Sequence, residues 1–254
     1  LYAARTDLGS PGSVNKQQEI LSRDFYDIWR VYLYQHYSYD IDLVGYPSTA
    51  DFEIQILHPN GTVLSSTDSG FGEQVSADYI CSGSSGYYYI KVLREAGFGR
   101  YTLYCEKKEI GAPDSRQGRI WSSDSCDIYT INLNQFYSYD IDLVNYPSSA
   151  DFEIELICEN GTVLYSSSSD LGESVSIDFV VTQPSGLYYV KVRREAGSGL
   201  YALYTYKPDL GDPGDKSETQ TILSKDSCDI WRVYLNRFYP LDINLINCPS
   251  EADF

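Results

Sequence analysis

The sequence repeats itself at a spacing of 100 residues. Tyr37-Ser-Tyr-Asp-Ile-Asp-Leu-Val44 recurs unchanged from Tyr137 to Val144, Ala50-Asp-Phe-Glu-Ile54 from Ala150 to Ile154, and Asn60-Gly-Thr-Val-Leu64 from Asn160 to Leu164. Arg94-Glu-Ala-Gly97 returns as Arg194 to Gly197, and a third copy opens with Cys228-Asp-Ile-Trp-Arg-Val-Tyr-Leu235 and reaches Ala252-Asp-Phe254. A repeat of this length is a complete structural unit, so whatever fold the chain adopts it must build more than once. The first residues match the end of a repeat: Leu1-Tyr2, Asp7-Leu-Gly9 and Pro11-Gly12 echo Leu203-Tyr204, Asp209-Leu-Gly211 and Pro213-Gly214. The expected division is a tail of a preceding repeat with its linker (1–12), repeat 1 (13–108), linker and repeat 2 (109–207), and linker with the first strands of repeat 3 (208–254). The chain therefore reads as a window on a longer array. Residues 216–254 supply only the first strands of a unit and leave Leu241, Ile243 and Leu245 without an opposing sheet, so the natural polypeptide is expected to extend beyond both ends.

Within each repeat the hydrophobic period is two, the signature of a strand with one buried face. Tyr39, Ile41 and Leu43 alternate with Asp40 and Asp42, and Phe152, Ile154 and Leu156 alternate with Glu153 and Glu155. Asn60-Gly61 and Asn160-Gly161 between alternating runs predict type I′ hairpin turns. Glu95-Ala-Gly-Phe-Gly99 predicts a longer hairpin loop between Tyr88-Tyr-Ile-Lys-Val92 and Tyr101-Thr-Leu-Tyr104. Gly111-Ala-Pro-Asp-Ser115 and Gly211-Asp-Pro-Gly-Asp215 read as linkers. No long segment carries a helical period. Seven or so short strands per repeat predict an all-β protein of tandem, jelly-roll-like β-sandwich domains. The 25 tyrosines fit pleated, half-buried surfaces.

Charge narrows the partners. A net charge of −17 disfavours nucleic acid, whose phosphates must be met by Lys and Arg, and disfavours anionic membrane surfaces. The six cysteines form no CxxC pair and no zinc-ligand spacing with histidine. Their even number suggests an oxidising compartment and one disulfide per domain, Cys81 with Cys105, Cys126 with Cys158 and Cys228 with Cys248, against the alternative of six inert buried thiols. The only histidines, His36 and His58, are replaced by Phe136 and Cys158 in the next repeat, a poor sign for a general base, and no catalytic residues are identified. Asp40, Asp42, Asp51 and Glu53 recur as Asp140, Asp142, Asp151 and Glu153. Such a set of hard oxygen donors suits either calcium or a solvated acidic face. Asn60-Gly-Thr62 and Asn160-Gly-Thr162 are glycosylation sequons as well as turns.

A combined pattern carries a family resemblance. Asp127-Ile-Tyr129, Ala150-Asp-Phe152, Asn160-Gly161, Gly172-Glu173, Ser185-Gly-Leu-Tyr-Tyr-Val-Lys-Val192 and Gly199-Leu-Tyr-Ala-Leu203 together resemble the bacterial pre-peptidase C-terminal domain. The resemblance covers both full repeats and the partial third. It implies a secreted or cell-surface sandwich module, with roles in adhesion or as an accessory domain, and no enzymatic activity of its own. Calcium near the linker before the sandwich is also implied, for which Asp209, Asp212 and Asp215 are the candidates, whereas the first linker offers only Glu109 and Asp114. Two functions follow as expectations. One is a non-enzymatic extracellular structural array, a filament, stalk or surface layer assembled from copies of the same chain. The other is a module that binds carbohydrate or protein beside a secreted enzyme such as a protease.

Overall fold

The computed structural model describes residues 7–211, 222 and 228–234, and every regular element among them is a strand. A short β1 (Asp7–Gly9) precedes domain 1, which comprises β2 (Ser13–Ile20), β3 (Tyr26–Leu33), β4 (Ser38–Val44), β5 (Asp51–Leu57), β6 (Val63–Asp68), β7 (Val75–Ile80), β8 (Gly86–Ala96) and β9 (Gly99–Ile110). Domain 2 comprises β10 (Asp114–Ile120), β11 (Cys126–Leu133), β12 (Ser138–Val144), β13 (Asp151–Cys158), β14 (Val163–Ser168), β15 (Val175–Val180), β16 (Gly186–Ala196) and β17 (Gly199–Tyr206). Then come β18 (Asp209–Gly211) and β19 (Arg232–Val233). In domain 1 the sheet β3-β8-β5-β6 faces the sheet β2-β9-β4-β7; in domain 2, β11-β16-β13-β14 faces β10-β17-β12-β15. Each domain is a β-sandwich.

The alternation read from the sequence is what closes each sandwich. Phe52, Ile54 and Ile56 of β5 are buried against Tyr39, Ile41 and Leu43 of β4 on the opposite sheet, and Phe152, Ile154 and Leu156 repeat the arrangement. Each such side chain taken out of water contributes about 1.5–3 kcal/mol, which is ample for two independent cores. One core runs from Leu8 to Cys105 and the other from Ile110 to Leu203.

Three sequence readings need correction. The Asn-Gly hairpins are not type I′, which needs a positive φ at both central residues. Only Gly61 (φ 89°) and Gly161 (φ 85°) are left-handed there. The Gly61 N–H donates to His58 O at 2.8 Å, and the ladder shifts register between Ile56 and Leu57. This is a type I turn closed by a left-handed glycine at a bulge, and Pro59 suits its second position because its φ is already fixed near −65°. Asn60 and Asn160 stand exposed at the tips, each accepting the N–H of the threonine two residues on at 3.0 Å.

Two of the expected disulfides are not formed. Cys81, Cys105, Cys126 and Cys158 are free thiols, and Cys248, the expected partner of Cys228, lies outside the described residues. Cys105 lies on β9 opposite Ile41, while Cys81 follows the end of β7, with β4 between the two strands. Two strand spacings, about 9.5 Å, exceed the reach of a disulfide. Cys126 pairs with Arg193 and Cys158 with Tyr188, so β16 separates them and they sit five residues apart along it.

The third correction concerns the carboxylates. Asp40, Asp140 and Asp142 are not on a solvated face: they are 8%, 1% and 6% exposed. They point away from their own core, as the alternation says, but into the boundary with the next domain.

Candidate functional site: the carboxylate-lined domain junction

The junction begins with a shared strand. β9 serves the second sheet of domain 1 along most of its length, pairing with β2 and β4. Its last residues then run parallel to β11 of domain 2, with Glu109 opposite Thr130 and Ile110 opposite Ile131, and Ile110 is buried in the domain 2 core. The same device occurs twice more. β1 lies parallel on β3 with Asp7 opposite Arg30 and Gly9 opposite Val31, and β18 lies parallel on β19 with Asp209 opposite Arg232 and Gly211 opposite Val233. The sequence reading that took the Gly/Pro/Asp segments as linkers is thus narrowed: between β9 and β10 only residues 111–113 lie outside a strand.

Beyond the shared strand, side chains of domain 1 satisfy the edge of β11. The Ile128 N–H donates to Asp78 Oδ1 at 3.2 Å, and the Cys126 thiol donates to the other oxygen of Asp78 at 3.8 Å. The Ser38 N–H donates to Thr130 Oγ1 at 2.9 Å, and the two hydroxyls lie 2.9 Å apart. Tyr189, only 3% exposed, donates its hydroxyl to His36 O at 2.9 Å, and His36 Nδ1 lies 2.9 Å from Glu159 Oε1. His36 adopts φ 66°, which turns its carbonyl outward to receive that bond, and Phe136 adopts the same conformation in domain 2. His58 serves its own hairpin, accepting the Asn60 N–H at 3.3 Å and packing edge-on to Tyr88. Both histidines thus have structural partners.

At the centre of the junction Lys108 reaches from β9 to Asp40 (2.9 Å) and Asp127 (3.4 Å). Carboxylate oxygens of Asp40, Asp78 and Asp127 lie within 4.8 Å of one another. Asp127 also accepts the Tyr201 hydroxyl at 2.5 Å, and Tyr201 in turn meets the Tyr129 hydroxyl at 2.8 Å. Burial raises Asp127, Asp124, Asp42 and Asp78, because a charge in a low-dielectric site has lost its water. Burial, opposed by Lys108 and reinforced by Asp40, brings Asp127 to about 6; burial and Asp127 bring Asp124 to about 8; burial and Asp40 bring Asp42 to about 7. Burial and then Asp127 hold Asp78 well above the usual range. Burial works against the Lys108 charge too, but Asp127 and Asp40 outweigh it and keep the ammonium protonated.

The next junction reuses the design with one change. Asp140, Asp178 and Asp229 draw together as Asp40, Asp78 and Asp127 do. Ser138 Oγ donates to Pro208 O at 2.7 Å, as Ser38 Oγ donates to Lys108 O at 2.9 Å, so Pro208 occupies the place of Lys108. A hard cation suits three converging carboxylates. In the first junction a lysine ammonium is that cation. Of the linker acids singled out for calcium, Asp209 pairs both oxygens with Arg232 at 3.2 Å, and Asp212 and Asp215 lie outside the described residues. The acidic clusters form instead between strands, from residues about 40 and 90 positions apart; the sequence reading singled out Asp40 and Asp140 as oxygen donors but missed Asp78, Asp127, Asp178 and Asp229 in that role.

No family model matches this chain, and no curated protein matches it. Among solved structures it is similar to the pre-peptidase C-terminal domain of a collagenase from Bacillus anthracis, at 22% identity over 39% of this chain and 92% of that one, with a TM-score of 0.34. It is also similar to the PBSX exported protein XepA, at 10% identity over 78% of this chain and 82% of that one (TM-score 0.25). A third similarity, at 12% identity over 76% of this chain and 91% of that one, is to a protein of Sulfolobus turreted icosahedral virus (TM-score 0.23).

Proposed function

We propose that this chain is a non-catalytic structural array of the cell exterior, its sandwich domains locked in series to form a stalk, filament or surface layer. The observation that carries the reading is the shared strand. A domain whose last strand also pairs with the first strand of its successor cannot swing freely, since rotation would break the β9–β11 pairing together with the Asp78, Ser38 and Tyr189 bonds. Ordinary linkers leave domains mobile unless the interface is extensive. Recurrence of the strand exchange at β1–β3 and β18–β19 makes each step geometrically alike, and repeated like steps build a rod or superhelix.

The test is a distance measurement between spin labels, one on exposed Leu64 of domain 1 and one on exposed Leu171 of domain 2. A single narrow distance distribution is expected. A broad one overturns the rigid array. A second reading, as a binding module for carbohydrate or protein, has its own observation. Phe25, Phe71 and Phe98 are 69%, 61% and 55% exposed on loops at one end of domain 1. The loops of Phe25 and Phe71 are tied into that end, Ser22 O accepting from Arg94 of β8 and the Gly72 N–H donating to Ala50 O. Saturable binding to a glycan or protein array that is lost in F25S/F98S favours this second reading.

A further inference from the structure

Domain 1 presents to solvent the face that domain 2 presents to domain 1. In domain 2, the β11–β16 face is covered: Tyr189 is buried against His36, and Thr130 and Ile128 bond Ser38 and Asp78. The counterpart on domain 1 is the β3–β8 face, where Tyr26, Ile28 and Tyr87 are 50%, 39% and 46% exposed and Tyr89, the counterpart of Tyr189, is only half-buried. The face is more aromatic than its counterpart, with Tyr26 for Cys126 and Tyr87 for Leu187. It carries two cations: Arg30, paired with Asp7, stacks 4.3 Å from the Tyr87 ring centre, and the Lys91 ammonium lies 5.0 Å from that of Tyr26. Such a surface complements an acid-lined domain end like the one built by Asp40 and Asp78. Finally, β1 lies parallel on β3 with Asp7 opposite Arg30 as Glu109 is opposite Thr130, though with a register shift before Gly9 that β9 does not show, so the strand path that delivers one domain to the next is already laid on this face.

We infer that the β3–β8 face of domain 1 is the docking site for the acid-lined end of a further domain of this same repeat, carried on the same polypeptide through β1. The inference rests on the rigid-array reading and extends it: each domain has one acidic end that docks and one sheet face that receives. The chain is polar, and every junction has the same sense.

The test lengthens the full chain. Residues 13–102, carrying Tyr87→Phe and Tyr89→Phe in the added copy so that its peptides differ in mass, are duplicated directly ahead of Leu1, because Leu1-Tyr2 matches Leu103-Tyr104 and the join regenerates a whole repeat. Tyrosine nitration, read by peptide mass spectrometry, reports the exposure of Tyr87 and Tyr89. Docking predicts that labelling of both falls to the level of Tyr189, while exposed Tyr165 of domain 2 is unchanged. Unchanged labelling of Tyr87 and Tyr89 beside a folded added domain overturns the inference. If the added copy fails to fold, as judged by its thermal transition, duplication of residues 113–202 in the same place repeats the test with the other domain. Protection of Tyr87 in the unlengthened chain that grows with protein concentration means a second copy docks in trans, and also overturns it. The spin-label distance between domains 1 and 2, measured on the lengthened chain, separates the two readings. A narrow distribution with unprotected tyrosines sinks only the docking site, and a broad one sinks the array.

Discussion

Lys108 is the residue on which the first junction turns. A buried ion pair adds little over a hydrophobic replacement of both partners, but removing one partner strands the other charge. Lys108→Met leaves Asp40 and Asp127 facing each other without a cation and is expected to destabilise the chain by about 3–5 kcal/mol, measured by urea unfolding at neutral pH. The raised acids fix the sign of the pH dependence. Asp127, Asp124 and Asp42 titrate at about 6, 8 and 7 in the fold against 3.8 for the ordinary carboxyl, so the folded chain holds more protons than the unfolded one between those values. Their protonation favours the fold fully below the ordinary value, and that contribution is lost as pH rises through 6 to 8. Urea midpoints should therefore fall from pH 5.5 to about pH 8.5, and more steeply in Lys108→Met, where the acids lose their opposing charge. A midpoint flat across that range contradicts the buried junction. Burial likewise pushes the Cys126 thiol to about 12, and Cys81 and Cys105 are buried. Thiolate is the reactive form, so a thiol reagent should reach these three only on unfolding, with no change on adding reductant.

At the scale of the element, the hairpins differ in how tightly they are built. Gly161 (φ 85°) and Gly197 (φ 65°) are both left-handed, a conformation that costs other residues about 1–2 kcal/mol. A Cβ at Gly161 meets nothing within 4 Å, whereas one at Gly197 would lie 2.3 Å from Ser149 O and 2.7 Å from Ala150 Cα. Those are backbone atoms of the β12–β13 connection and cannot step aside. Gly161→Ala should cost about 1 kcal/mol, the conformational term alone, and Gly197→Ala at least about 3 kcal/mol, compared by thermal unfolding of the two variants. Equal losses would mean that the two loops do not pack as described. The repeat carries the constraint too: Gly97 would meet Thr49 O at 2.2 Å.

For the whole molecule, the shared strand couples domains that have separate cores. Unfolding domain 1 removes β9 from β11 and strips Ile128, Thr130 and Tyr189 of their partners. Calorimetry should therefore give one transition for the two described domains. Lys108→Met combined with Thr130→Val, which removes the acceptor of the Ser38 N–H, should split it into two. Two resolved transitions in the unaltered chain would instead make the domains independent beads, and the rigid array would go with them.

The sequence alone determined the number and class of the units. Period-two alternation fixes which face of β4, β5, β12 and β13 enters its own core, and the 100-residue recurrence fixes that the core is built twice. It also placed the hairpin tips at Asn60 and Asn160, though not their type, because Asn-Gly suits more than one turn and the choice depends on the bulge beside it. What it could not determine is what lies against the other face. Asp40 and Asp42 alternate with apolar residues as solvated carboxylates would, and only the seating of domain 2 on domain 1 turns that face into a buried junction. The cysteines were misjudged for the same reason: their even number says nothing of the strands that separate them. Alternation is a local property of one chain segment in its own sheet. Which surfaces meet is decided by the path of β9 across two sheets, and that exists only once both domains have folded.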